Sequence, residues 1–333
     1  MDLRSCRTST INALKWLLSQ QNADGSFRPA EHGLATLAKL LWALGDMGQQ
    51  PKAAQLSTWL RASSLDEDGD LSGAARPAPW DHFYPVANAF LAVGAMRLSQ
   101  FALAYPLLEW LTSLQHPETG GFLTAGPEAP LDGEQDLLTT AVCAYACLQC
   151  GQLREAEAAG GFLLRLWENQ PGGAAARLYM VTHNGEEILS EFPAEAAPWY
   201  AIDTGQREQF YHAPALAAGF LACLADASGS QDYLEGTHRY LQFLDSCADD
   251  RHSSEHSAFI AWAAALAYEI TGSANYQRTV EAVVDSLLAT QLNNGSWLKG
   301  SMGADLTSDV VDATAENIIV LNQVLRSLVG TEE

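Results

Sequence analysis

Residues 284–297, VDSLLATQLNNGSW, carry the reading that decides the fold. An apolar helical stretch runs into a Gln, then a short polar turn, a Gly and an aromatic residue. The same phrase stands at 14–27 (LKWLLSQQNADGSF) and at 107–122 (LLEWLTSLQHPETGGF). Weaker copies fill the gaps. LSTWLRASSLDEDGDL (56–71) keeps the turn and Gly, GFLLRLWENQPGG (161–173) keeps Gln170 and Gly172, and RYLQFLDSCADD (239–250) keeps the helix and an acidic turn. The turns recur every 44–52 residues or so, with one interval of about 78 between the fourth and fifth, and a helical pair needs roughly 40–47. Six helical hairpins fit the chain.

Working outward, a second helix follows each turn. HGLATLAKLLWALGDM (32–47), YPVANAFLAVGAM (84–96), LLTTAVCAYACLQC (137–150), APALAAGFLACLADA (213–227), SAFIAWAAALAYEI (257–270) and VDATAENIIVLNQVLRSL (311–328) are apolar nearly all round. A helix apolar on every face is buried. The helices before the turns are amphipathic, as an outer layer requires. Six outer and six inner helices in alternation predict an all-α fold, an (α/α)6 barrel, spanning 1–333 as one domain. Each hairpin buries its apolar face only against its neighbours. In the long interval, RLYMVTHNGEEILSEFP alternates apolar and polar residues about Asn184-Gly185, the strongest short hairpin signal. It predicts a small inserted β-hairpin around 177–192. The following segment, 193–212, carries Trp199, Tyr200, Phe210 and Tyr211, which argues for order.

Composition bounds the partners. Forty acidic residues against 18 basic give a net charge of −22, which repels nucleic-acid phosphates and anionic membranes. No apolar run marks a membrane span or a signal peptide at the N-terminus. Cys143, Cys147 and Cys150 fall at helical spacing within an apolar run and read as small packing groups. A reducing, cytoplasmic setting is expected. No dinucleotide fingerprint or phosphate loop is present, so no cofactor is implied.

The three strong turns, on Gln20/Gly25/Phe27, Gln115/Gly121/Phe122 and Gln291/Gly295/Trp297, resemble the Gln–Trp motifs of the terpenoid cyclase and protein prenyltransferase toroids. The resemblance implies a squalene–hopene-cyclase-like toroid in which the Gln ties an outer helix to the neighbouring turn. Its catalytic signatures are missing. No Asp-x-Asp-Asp or DDxxD motif occurs, and Asp66-Glu67-Asp68-Gly69-Asp70 occupies a repeat turn. Asp245-Ser246-Cys247 has the spacing of the prenyltransferase zinc pair but lies at the end of an outer helix. Uronyl hydrolases and sugar epimerases share the broader (α/α)6 architecture.

Inner-helix N-termini converge at one mouth of such a barrel. His32, His82, His212 and His252 fall at or near inner-helix starts, with His256 a turn further. Glu31, Asp81, Asp132, Glu134, Asp136, Glu255, Asp305, Asp309 and Asp312 cluster there too; Asp is an ordinary N-cap, but together these groups make a candidate site. Asp81, His82, His212, His256 and Asp309 are the candidates for proton transfer. Trp80, Tyr84, Trp199, Tyr211, Trp262 and Asp136 are candidates for lining the pocket. His252-Ser253-Ser254-Glu255-His256 matches an H-x-x-E-H metal pattern, but a helical array is not that motif's usual context, and no metal is expected. The resemblance and the apolar inner helices favour a hydrophobic small-molecule substrate, a terpenoid or polyketide-like compound, cyclised or isomerised in natural-product biosynthesis. The alternatives are a carbohydrate-active hydrolase, lyase or epimerase, recognisable by a pocket rich in hydrogen-bonding side chains, and a helical scaffold without catalysis.

Overall fold

A computed structural model describes residues 2–28, 37–73, 80–126, 128–130, 132–298 and 306–329, without the side chains of 306–309 and 329. Twelve helices of seven residues or more alternate among the described residues. The outer set is α1 (Leu3–Ser19), α3 (Gln50–Ser63), α5 (Phe101–Ser113), α7 (Leu153–Glu168), α9 (Gln231–Ser246) and α11 (Ala274–Thr290). The inner set is α2 (Leu40–Asp46), α4 (Val86–Arg97), α6 (Leu137–Gln149), α8 (His212–Ser228), α10 (Ala258–Thr271) and α12 (Leu306–Val329). Each inner helix contacts the next, and α12 returns to α2, closing the ring of an (α/α)6 barrel.

The inner helices pack closely because their small residues allow it. Gly219 on α8 lies under the Trp262 ring of α10, and Gly94 on α4 meets the α2 backbone at Trp42. Any Cβ there would collide, so these are sites of close approach. Trp42, Tyr145, Trp262, Phe90 and Phe259 fill the barrel interior in stacked and edge-to-face pairs. Trp262 is buried among these rings, 1% exposed, and so belongs to the core.

The repeat turn is a covalently local device that holds two outer helices together. The Gln115 side-chain amide donates to Gly120 O in its own turn (2.9 Å) and to Glu155 O at the start of the next outer helix, α7 (2.8 Å). Gln291 does the same to Gly295 O (2.8 Å) and Ser9 O of α1 (3.0 Å), so the last repeat locks onto the first. In the first repeat the bridging residue is Gln21, which donates to Gly25 O and Lys52 O. Gln20 reaches only its own helix end and Ser19. The expected register is thus off by one there, and in the third repeat Gly120 is the residue with positive φ (77°), not Gly121. Gly295 (φ 95°) shows why glycine is required: a Cβ would stand 2.5 Å from the Asn12 carbonyl of α1. The acidic cluster at Asp66 is structural, its carboxylate accepting from the Asp68 and Asp70 N–H groups.

The insertion is more than a hairpin. Strands β3 (Val181–His183) and β4 (Glu187–Ile188) pair across Asn184-Gly185, whose φ angles of 55° and 71° suit a type I′ turn. β1 (Glu134–Asp136) joins the other edge of β3 and runs directly into α6. β2 (Arg177–Tyr179), expected within the hairpin, pairs instead with β5 (Ala201–Asp203). Met180 sits between the two sheets and its backbone binds both Leu137 and Tyr200, so the chain changes sheet there. All six cysteines are unpaired thiols. Among the described residues no helix is long and apolar enough to cross a membrane.

Candidate active site

Three charged side chains on inner elements meet inside the mouth. Lys39 directly precedes α2, and its Nζ contacts Asp312 Oδ2 (2.9 Å) and Glu316 Oε2 (2.5 Å) of α12. Asp312 and Glu316 are one turn apart, so they share a helix face. All three are 5% exposed or less. A lysine at a helix N-terminus opposes the helix dipole, and a buried ammonium needs partners. Two carboxylates supply both requirements. The ammonium also faces the Phe90 and Trp80 rings, 5.5 and 5.7 Å from their centroids.

Glu316 turns its other oxygen across the mouth. Its Oε1 lies 4.0 Å from Nδ1 of His212, the first residue of α8. The His212 ring stands edge-on to Phe259 and stacks with Phe210. Phe210 in turn stacks on Phe83 and meets the edges of Trp199 and His256. His212 is therefore a titratable group between a carboxylate and an aromatic wall. A cavity of about 250 Å³ opens beside Glu316, with His252, Glu255, Ser286 and Asn317 among its other lining residues.

The other expected residues divide into two groups. Trp80, Trp199, His212 and His256 stand around the mouth. Asp81 is exposed and accepts from the His82 N–H. His82 lies further along the rim between Phe83 and Tyr200. Asp136, 1% exposed, caps α6 and accepts from Thr139 N–H and the Thr124 hydroxyl. Burial pushes its carboxyl above the usual range, against those bonds and the nearby His82. The Tyr84 hydroxyl binds Asp70 of a repeat turn, and its ring faces Trp110 of α5. The buried Tyr211 donates to Asp250. Asp309 lies in α12 with its side chain outside the described residues, as do His32, Glu31 and Asp305 entirely.

The H-x-x-E-H pattern does not form the expected helix face. His252 ends a short 3-10 turn (Asp249–His252), and His256 precedes α10 rather than lying inside it. Burial, then Arg251, push the His252 imidazole below its usual range. Cys247 is a buried thiol that donates to Phe243 O, so the Asp245–Cys247 spacing marks a helix end. Among the described residues no three His, Cys, Asp or Glu side chains converge as a metal site.

Lys39 and Glu316 were not anticipated. Their signal is present, since each is a charge inside an apolar inner-helix run, and such a charge must be paired. Nothing local indicates that the pair is with each other.

No protein-family model matches the chain, and no curated protein sequence does. Solved structures do match along nearly the whole chain. A D-mannose isomerase is 12% identical, with 96% of this chain and 97% of that one covered, at a TM-score of 0.70. A cellobiose 2-epimerase from Bacillus thermoamylovorans is 11% identical over 93% and 98%, at 0.65. An unsaturated glucuronyl hydrolase specific for heparin is 13% identical over 97% and 96%, at 0.64. These neighbours correct the likeness to terpenoid cyclases and protein prenyltransferases drawn from the repeat turns. The expectation of a terpenoid or polyketide-like substrate in natural-product biosynthesis falls with it. The physical reason lies in the cavity, whose walls carry Ser253, Ser254, Ser257, Ser286, Thr290 and Asn317 rather than a continuous apolar surface. The chain has the (α/α)6 barrel fold that these sugar-processing proteins share.

Proposed function

We propose that this protein is a carbohydrate-active enzyme of the isomerase or epimerase type, with His212 as its general acid–base. The observation that carries the reading is the bridging position of Glu316, one oxygen on Lys39 and the other toward His212. Lys39 and Asp312 act as positioning residues that hold Glu316 in place. Glu316 then stabilises the imidazolium that forms when His212 accepts a proton.

The chemistry moves one proton off carbon. An open-chain sugar carries an acidic C–H beside its carbonyl. His212 removes that proton to give an enediolate. Its return to the neighbouring carbon, with the hydroxyl proton passing from oxygen 2 to oxygen 1, isomerises the sugar, and its return to the opposite face of carbon 2, after the enediolate turns over beside His212, epimerises it. No atoms are lost and no redox partner is required. Trp80, half-buried, provides an apolar face against which a sugar ring can stack. Glycoside hydrolysis fits less well. It asks for two carboxyl groups flanking one bond, whereas Asp312 and Glu316 stand on one helix and share one ammonium. The free thiols support a cytosolic setting, as disulfides are rare there.

The test is proton exchange in D2O. The protein is incubated with D-mannose, D-glucose or cellobiose, and loss of the proton at carbon 2 is followed by NMR. His212→Asn should reduce exchange by about 10²–10⁴-fold, the usual contribution of a positioned acid–base group, with the melting temperature retained. Absence of exchange with all three sugars, or full exchange in the variant, would remove the proposal.

A further inference from the structure

The helix that carries His212 begins without a cap of its own. His212 is the first residue of α8, and Tyr211 before it makes no side-chain bond to the free N–H groups of the first turn. A helix end without a capping side chain is loosely fixed. The entry of the chain into α8 must be held from outside if the imidazole is to keep one direction.

The holding group is Asp250, in the 3-10 turn Asp249–His252. Asp250 is buried, 7% exposed. Its carboxylate accepts twice from the segment ahead of α8. Oδ1 takes the Tyr211 hydroxyl (2.9 Å), and Oδ2 takes the Glu208 N–H (2.6 Å). Glu208 stands at φ 55°, a left-handed conformation that strains any residue with a Cβ. A hydrogen bond to an ionised acceptor is strong enough to offset such strain. The turn that carries Asp250 is fixed in its own right, since the Asp250 carbonyl accepts from the Ser253 and Ser254 N–H groups, each at 2.8 Å. The anchored residues 208 and 211 flank the two that form the site. Phe210, between them, stacks with the His212 ring and meets the edge of His256. Phe259 stands against the His212 ring at 4.7 Å.

We infer that Asp250 is the positioning residue of the His212 acid–base, an inference that rests on the reading of His212 above. By gripping the backbone at Glu208 and the side chain at Tyr211, it sets the direction in which the imidazole leaves the helix start, toward Glu316 and against Phe210. Misplacing a reacting group by about 1 Å can cost about 100-fold in rate. The grip is therefore felt in the chemical step more than in binding.

The test compares Asp250→Asn and Tyr211→Phe with Arg207→Gln in the full chain. Asp250→Asn keeps one acceptor and sets an amide N–H against the other donor. Tyr211→Phe keeps the ring and removes only the hydroxyl. Arg207 pairs with Asp249 in the same loop, largely exposed on both sides, and such pairs contribute little. The first readout is the NMR signal of the His212 ring in histidine-labelled protein, assigned by its loss in His212→Asn. Ring currents from Phe259 and Phe210 make that signal a measure of where the imidazole stands. It should move in Asp250→Asn and Tyr211→Phe and stay in Arg207→Gln, while the signal of His116, in the third repeat turn, stays in all three. The second readout is the D2O exchange assay. Asp250→Asn and Tyr211→Phe should lower kcat by about 10- to 100-fold, with KM within about twofold of the parent. An unmoved His212 signal in both variants, an equal movement in Arg207→Gln, or a loss confined to KM or to the melting temperature overturns the inference. A parent that exchanges no sugar, with the His212 signal moving as expected, removes the reaction assigned to His212 and keeps the positioning. A parent that exchanges, with the signal unmoved in both variants, does the reverse.

Discussion

Removing the Lys39 ammonium should be among the most damaging single changes in the inner ring. Lys39→Met keeps the chain length and the apolar stem beside Phe90 and Trp80. It leaves Asp312 and Glu316 buried, one turn apart, without the cation they share. Breaking a buried ion cluster by deleting one partner costs about 3–5 kcal/mol. At roughly 2.1 cal/mol/K of unfolding entropy per residue, 333 residues give about 0.7 kcal/mol/K. The melting temperature should therefore fall by about 4–7 °C in calorimetry. The decisive control is the triple variant Lys39→Met/Asp312→Leu/Glu316→Met. Replacing a whole buried cluster by apolar groups is often neutral or stabilising, so most of the loss should return, even though proton exchange stays absent. A Lys39→Met variant within about 2 °C of the parent, or a triple variant as unstable as the single, would refute the account of the cluster as a mutually compensated unit.

Other consequences can be measured on the same preparation. Gly295→Ala should cost at least ~3 kcal/mol, combining left-handed strain with a collision against the Asn12 carbonyl. Gly272→Ala, at φ 64° in open space, should cost only about 1–2 kcal/mol, and equal losses in urea titrations would disprove the close-approach argument. Gln115→Leu removes one bond within the third turn and one from that turn to α7, and should destabilise by roughly 1–3 kcal/mol; an unchanged urea midpoint would show that the bridge is dispensable. Asp136 has its carboxyl raised by burial, so its contribution to stability is present at low pH and is lost as pH rises through that raised value. Asp136→Asn should gain stability relative to the parent between the ordinary aspartate value of 3.8 and neutrality, and a constant difference across that range would contradict the assignment.

The barrel was legible because its two layers differ in pattern. Residues 213–227 and 257–270 show no polar face, and they form α8 and α10 within a residue or two of the expected limits. The Asn184-Gly185 turn was legible because its positive φ angles admit few residue types. The rest of the insertion was not, because β2 and β5 are joined by pairing across residues 180–200, and alternation alone does not name a partner. The site was half legible. His212 and Trp80 stand at the mouth because every inner-helix start does. Lys39 and Glu316 lie 277 residues apart in sequence, and only the closure of α12 onto α2 brings them together. A single sequence records that each charge needs a partner, but not which one.

The correction of the family resemblance follows from what the repeat turn does. Each strong Gln donates twice, once within its own turn and once to the backbone of the next outer helix, while the turn's Gly approaches that helix too closely for a side chain. Both acceptors are backbone carbonyls, so the device is independent of what the cavity holds. Any barrel with outer helices at this spacing presents the carbonyls of the next outer helix at the same distance, each with a second lone pair to offer, and a Gln is long enough to reach them. The Gln–Gly–aromatic phrase therefore reports the spacing of the outer ring. Chemistry is written at the other radius, where the inner helices carry their few charges. On that radius the described residues present an ammonium, two carboxylates and an imidazole, with serine and threonine hydroxyls in the wall of the neighbouring cavity, and it is on those groups that the proposed proton transfer on a sugar rests.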